Sequence, residues 1–72
     1  MTDHPLQIGE VATAAGVSVD TVRFYERRGV LAAPERRASG YRSYTSAAVQ
    51  RIILAKRLQA LGLTINEIVD AL

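Results

Sequence analysis

Gly16 to Leu31 reads GVSVDTVRFYERRGVL, and the fold turns on this stretch. Ser18 is a good helix N-cap, because its hydroxyl can satisfy an orphan backbone N–H two or three residues on. Gly29 is a natural stop, since glycine takes the left-handed conformation that ends helices. Between them, about three turns of helix carry Thr21, Arg23, Tyr25, Arg27 and Arg28, with Val19 and Val22 marking the buried side. Upstream, Ile8, Val11, Ala12 and Ala15 recur at i, i+3, i+4 and i+7, which predicts a first short helix over Ile8 to Ala15. Two short helices joined by a tight turn at Ala15-Gly16-Val17 make a helix-turn-helix.

The totals bound what the chain can be. Its 72 residues allow one domain, and a chain this short buries only about 60% of the surface its unfolded form exposes. Hydrophobic residues make up 49%, enough for one small core and too many for a disordered chain. There is no cysteine, which removes disulfides, thiolate metal ligands and a cysteine nucleophile together and fits the cytoplasm. The first residues, MTDHPLQ, are not a signal peptide. No apolar run approaches the roughly 20 residues needed to cross a bilayer. The net charge of +2 hides a segregation. All nine Lys and Arg lie between Arg23 and Arg57, opposed there only by Glu26 and Glu35, for a local net of +7. The flanks hold five acids and no Lys or Arg, a net of −5. A basic centre between acidic ends suggests a polyanion-binding face. The plainer explanation, arginines that only solubilise a small domain, suits an isolated pair better than the whole pattern.

The rest of the chain falls into place around the opening motif. Met1 to Gln7 is expected to be a loose arm, and His4, with no Cys or second His beside it, is expected to be solvated. The N-terminal N–H groups of the first helix can point at a phosphate. Gly29 to Tyr44 has a different texture: Pro34 breaks any helix, Gly40 permits a turn, and Tyr41 and Tyr44 bracket an extended segment. The simplest reading is a two-stranded ribbon from about Leu31 to Tyr44 with its tip near Glu35 to Gly40, carrying Arg36, Arg37 and Arg42 like a wing. A solvated loop accounts for Arg36 and Arg37 about as well, and for Arg42 less well, because its two aromatic neighbours would fix its direction. Thr45 or Ser46 can cap a third helix from Ala47 to about Leu61, stopping at Gly62, with Ala48, Ile52 and Ala55 as its core stripe and Val49 and Leu58 flanking. Thr64-Ile65-Asn66-Glu67 is a capping box that starts a fourth helix, whose apolar face is Ile65, Ile68, Val69 and Leu72. The architecture is mainly α: a winged helix-turn-helix of four helices and a two-stranded β wing over residues 8–72.

If Val19 and Val22 face the core, Thr21 and Arg23 can both reach a DNA groove, where an arginine bonds a guanine edge through two hydrogen bonds or grips a phosphate. The two are two residues apart, so they splay by about 160° on ideal helix geometry. One should face bases and the other the backbone. Base contact goes to Thr21 with a short neighbour, Ser18 or Asp20, and phosphate to the longer Arg23. Phe24 and Tyr25 cannot both be fully buried on so short a helix; a tyrosine with its ring against the protein and its hydroxyl at a phosphate would use both ends of the side chain.

Ile8 to Leu31, with IGEVA, AGVSVDTVRFYER and GVL, resembles the N-terminal DNA-binding domain of MerR-family transcriptional regulators. The resemblance continues through SGYRSY at Ser39 to Tyr44 and LGLTINEI at Leu61 to Ile68, so it covers nearly the whole chain after the first seven residues. It implies that the second helix enters a major groove and that Arg23 and Tyr25 touch DNA. It also implies that Arg42, Tyr41 beside it, and the tip arginines Arg36 and Arg37 lie along the backbone or minor groove. The second helix pair, bearing Lys56 and Arg57, would add another backbone contact. Such regulators usually continue into a long helix that pairs two subunits and then an effector region. A homodimer is therefore expected only with a C-terminal helix beyond Leu72, and this piece alone should bind its operator weakly as a monomer. For the full regulator, RNA polymerase is the further partner, on distorted promoter DNA beside the nucleoid. The mercury-sensing cysteines of some members lie in that further region.

No catalytic constellation is legible. There is no Gly-rich phosphate loop, only one histidine, and no cluster of carboxylates in a buried setting, so neither an enzyme nor a cofactor is expected. Two other readings compete with a sequence-specific double-stranded DNA-binding domain. An excisionase-like architectural protein would bend DNA for recombination. A helical protein-interaction module would show no salt-dependent DNA affinity, and the charge segregation and ribbon arginines count against it.

Overall fold

Four helices form where capping and periodicity expect them. The computed structural model describes residues 5–31, 35–36 and 42–72, with only the backbone course at 35, 36 and 42. Helix α1 spans Ile8–Ala15, α2 Val19–Arg28, α3 Ser46–Ala60 and α4 Ile65–Ala71. Gly16, at φ 73°, ends α1 in the left-handed region, and the Val17 N–H returns to the Ala12 carbonyl at 2.9 Å. Ser18 caps α2, its Oγ accepting from the Thr21 N–H at 3.1 Å. Gly29 closes that helix at φ 88°, with the Val30 N–H donating to the Tyr25 carbonyl at 2.9 Å. The turn is therefore rigid at both ends, and α2 leaves α1 at an angle set by backbone hydrogen bonds rather than by loop entropy.

One core holds the four helices. Val11, Ala12 and Ala15 of α1, Val22 and Tyr25 of α2, Val49, Ile52 and Ala55 of α3 and Ile68 of α4 are all buried, with Val30, Leu31 and Tyr44 from the connections. Helix α1 packs on both α2 and α3, and α3 on α4. Full burial of each Val or Ile contributes roughly 1.5–3 kcal/mol. The α3 stripe differs by one position from expectation: Val49 is buried while Ala48 is only partly so. The larger side chain takes the deeper site because it removes more apolar surface from water. Helix α3 also starts one residue early, at Ser46. Thr45 holds the N-cap place through its backbone, and its side chain makes no cap hydrogen bond.

The described part of the ribbon differs from the sequence expectation. Glu35–Arg36 (β1) and Arg42–Ser43 (β2) pair antiparallel, with Glu35 opposite Ser43 and Arg36 opposite Arg42. Leu31 is a core residue rather than the start of a strand. Glu35 and Arg36 pair in the ladder instead of forming its tip; the remainder of the expected tip, 37–40, lies outside the described residues. The segment lacks a period of two in hydrophobicity, so nothing in its pattern fixes where pairing starts. Tyr44 then leaves β2 and bridges to Leu6 through hydrogen bonds in both directions, each 2.9 Å. This corrects the expectation of a loose arm up to Gln7. Leu6 is half-buried against the core, and the Gln7 carbonyl accepts the N–H groups of Glu10 and Val11. Met1 to His4 lie outside the described residues.

The capping box on α4 is formed as expected. Thr64 Oγ1 accepts from the Glu67 N–H at 3.2 Å, and the Glu67 carboxylate accepts from the Thr64 N–H at 2.8 Å. Hydrogen bonds from the Thr64 backbone N–H and then from its side chain hold the Glu67 carboxyl below its ordinary range. A depressed carboxyl adds stability that is present above its unfolded value and is lost as pH falls through the folded one. Wild type should therefore lose stability relative to Glu67→Gln on acidification through the glutamate range, as urea melts at a series of pH values would show. An unchanged difference between the two proteins would mean that the charge of Glu67 adds nothing to the box.

Candidate nucleic-acid interface

Helix α2 is built to present one side outward. Val22 and Tyr25 are buried, and Val19, Thr21 and Glu26 are half-buried. Asp20, Arg23, Phe24, Arg27 and Arg28 are exposed. On a period of 3.6, Asp20 and Arg27 fall at the centre of the outward face, with Arg23 and Phe24 on either side. Among the described residues, nothing holds Arg23 or Arg27 by a hydrogen bond or ion pair, so both guanidinium groups keep their full donor sets for a ligand. The sequence reading did not include Arg27 in the site. The signal was available: Asp20, Arg23 or Phe24, and Arg27 follow i, i+3/i+4, i+7 opposite Val22 and Tyr25.

Thr21 sits at the flank of this face. Its hydroxyl lies 3.0 Å from the Ser18 Oγ, and both belong to the cap that starts the helix. Ser18 and Asp20 are exposed at the same end. Glu10 complicates the expected phosphate site at the start of α1. Its Oε1 accepts from the Gln7 N–H at 2.9 Å, so a carboxylate already occupies that end of the helix and would repel a phosphate.

Tyr25 is corrected. The expectation put its hydroxyl at a phosphate, but the residue is only 3% exposed and its hydroxyl donates to Gln59 Oε1 of α3 at 2.5 Å. Desolvation on burial pushes its pKa up. Only one aromatic of the pair faces out, and it is Phe24, at 37% exposure. Helix phase decides this: Tyr25 lies three residues after Val22, on the core side. The Arg28 guanidinium lies 5.9 Å from the Phe24 ring centroid and donates to Asn66 Oδ1 of α4 at 2.5 Å.

Lys56, expected to contact the DNA backbone, is exposed and also serves the fold: its Nζ lies 3.3 Å from the Gly16 carbonyl and 3.5 Å from that of Ala15. A cation at the C-terminus of α1 satisfies orphan carbonyls and complements the helix dipole. Lys56 thus braces the helix turn from α3, as Arg51 braces the exit of α2 through the Val30 carbonyl at 3.2 Å. Arg57 is exposed in the last turn of α3. Arg36 and Arg42 are placed by backbone alone, opposite each other in the ladder. Arg37 and Tyr41 lie outside the described residues. Among the described residues, no three His, Cys, Asp or Glu side chains gather into a metal cluster, and no helix is long and apolar enough to cross a membrane.

Comparison with known proteins agrees with this geometry. Residues 6–72 match the profile of the MerR HTH family regulatory protein. A mercuric resistance operon regulatory protein of Bacillus cereus is 48% identical over 62 residues, covering 86% of this chain and 47% of that protein. Nodulation protein NolA of Bradyrhizobium elkanii is 44% identical over 66 residues, covering 92% of this chain and 30% of its own length. Among solved structures, the regulator PbrR691 of Ralstonia metallidurans CH34 with lead(II) superposes with a TM-score of 0.85 at 36% identity, over 92% of this chain and 52% of that one. HiNmlR, a MerR-family regulator lacking the sensor domain and bound to promoter DNA, superposes with a TM-score of 0.82 at 26% identity, over 94% and 54%. The chain spans about half the length, or less, of the proteins it matches. With one profile covering the chain from Leu6 to Leu72 and the helix order, caps and core all consistent with it, this chain belongs to the MerR HTH regulatory protein family.

Proposed function

We propose that this chain is the double-stranded DNA-binding part of a bacterial transcription regulator, with α2 as the helix that enters the major groove. The observation that carries the reading is the outward face of α2, where Arg23 and Arg27 lie side by side one turn apart, without a partner among the described residues, on a helix whose other face is core. In this reading Arg23 and Arg27 grip neighbouring phosphates along one edge of the groove. Asp20 and Thr21, with Ser18 beside them at the helix start, approach base edges. The β1–β2 pair acts as the wing, carrying Arg36, Arg37, Tyr41 and Arg42 along the flanking backbone. Arg57 adds a contact from α3. Tyr25 and Lys56 serve the site from behind, by fixing α2 and the turn.

Three further parts of the reading come from the family and from relatives about two to three times as long. The whole regulator pairs two subunits through a helix beyond this segment, works with RNA polymerase at a promoter, and resides in the cytoplasm with the nucleoid. The 72-residue segment alone binds as a monomer, without the avidity of two linked domains.

Fluorescence anisotropy of the segment on a mixed-sequence duplex, followed by selection from a random pool, tests this. The expected result is affinity that falls steeply with salt and a preferred sequence above that background. No salt-dependent binding to any duplex would sink the reading in favour of a protein-interaction module.

A further inference from the structure

Two motif residues remain without a role in DNA contact. Glu26 ends the RFYE run of α2, and Tyr44 ends the GYRSY run that includes β2. The structure brings them together across eighteen residues: the Tyr44 hydroxyl donates to Glu26 Oε2 at 2.8 Å. Tyr44 is 4% exposed and belongs to the core, and Glu26 is half-buried. The same Tyr44 is bonded through its backbone to Leu6 in both directions, directly after β2 pairs with β1. Tyr44 is therefore where the ribbon, the N-terminal segment and α2 are joined. A charge-assisted hydrogen bond in a partly buried setting is short and directional, which suits a joint between elements.

We propose that Glu26 and Tyr44 form a positioning lock that fixes the angle between α2 and the β1–β2 ribbon. This rests on the nucleic-acid reading above, in which both elements touch the same duplex. Among the described residues the ribbon pairs two on each strand, and an isolated hairpin is marginal in water. Its direction must come from an anchor. With the lock closed, ribbon and α2 reach DNA as one rigid unit, and the ribbon's phosphate contacts form without a further ordering cost. With the lock broken, the ribbon swings on its base, and those contacts are lost or cost more to form. Neither residue needs to touch DNA.

Tyr44→Phe tests the lock, because it removes the hydroxyl and keeps the buried ring. Two measurements are made on the 72-residue chain. The first needs no DNA: backbone residual dipolar couplings for Glu35, Arg36, Arg42 and Ser43 against those of α2. They should be averaged in Tyr44→Phe and in Glu26→Ala, with the α2 couplings unchanged. Couplings identical to wild type in both variants overturn the lock. The second is anisotropy on the duplex that wild type selects from a random pool and on a mixed-sequence duplex. Tyr44→Phe should weaken both about three- to tenfold, the net value of one ordinary hydrogen bond. It should also lower the salt slope by about one for each phosphate contact the ribbon gives up. Arg42→Ala should then cost little more in the Tyr44→Phe background, whereas Arg23→Ala should cost as much as in wild type. Full additivity with Arg42→Ala, or an unchanged salt slope, overturns the proposal and reduces Tyr44 to a fold-stabilising residue. If wild type binds neither duplex, the DNA reading fails and the dipolar couplings alone decide whether the lock exists.

Discussion

Ile52→Ala is expected to lower the thermal midpoint by about 10–30 °C, the largest single-residue effect on stability in this domain. Ile52 is fully buried near the middle of α3, in the core shared with Val11 and Val22 and with Ile68 of α4. Truncating a buried Ile to Ala costs about 2–5 kcal/mol, partly from lost burial and partly from the cavity left behind. A small domain starts from a total near the low end of roughly 5–15 kcal/mol, so one such loss removes much of the margin. Leu54 supplies the control, since it lies on the same helix and is 43% exposed. Leu54→Ala should stay within about 0.5 kcal/mol of wild type. Circular-dichroism melts of the two variants check this. Equal losses would mean that α3 is rotated from the orientation described.

Arg23→Ala combined with Arg27→Ala should weaken DNA binding about a hundredfold at low salt, each change contributing about tenfold. The salt slope should fall by about one per arginine removed. Both side chains are exposed and free among the described residues, so removing them leaves the core untouched. Arg27 lies in the last turn of α2, where a cation also stabilises the helix end by about 0.3–1 kcal/mol. The affinity is therefore read beside a melt. Thr21→Ala should act differently, shifting the preferred sequence by up to about 1–3 kcal/mol at one base pair while leaving the salt slope alone. Binding-site selection on the three variants separates these outcomes. If Arg27→Ala shifts the preferred sequence with no change in slope, Arg27 reads bases and α2 sits deeper in the groove than argued above.

Tyr25 and Lys56 found partners inside the protein for a shared reason. Tyr25 and Lys56 are both amphipathic, with a polar end that can serve either a ligand or the protein itself. In sequence the two uses look alike. Burial resolves the first, because a ring in the core brings its hydroxyl to Gln59, which is thirty-four residues away in the chain. Proximity resolves the second, because α3 passes close enough to the helix turn for the Lys56 ammonium to reach the carbonyls of Ala15 and Gly16. Neither partner stands near its tyrosine or lysine in the sequence.

What the sequence determined by itself was local. Ser18, Gly16, Gly29 and the Thr64–Glu67 box act on backbone groups within about four residues, so their effect is written in the order of the residues. The periodicity of Val11, Ala12 and Ala15, and of Val22 and Tyr25, likewise marks a buried face without saying what covers it. The tertiary structure decided the rest. It showed that Leu6 is anchored on Tyr44, that Glu35 and Arg36 pair with Ser43 and Arg42, and that α2 is tied to α3 through Tyr25, to α4 through Arg28 and to the ribbon base through Glu26. These are contacts between residues distant in the chain. Their formation depends on how α1, α3 and α4 pack around one core, a property that no spacing within a single segment encodes.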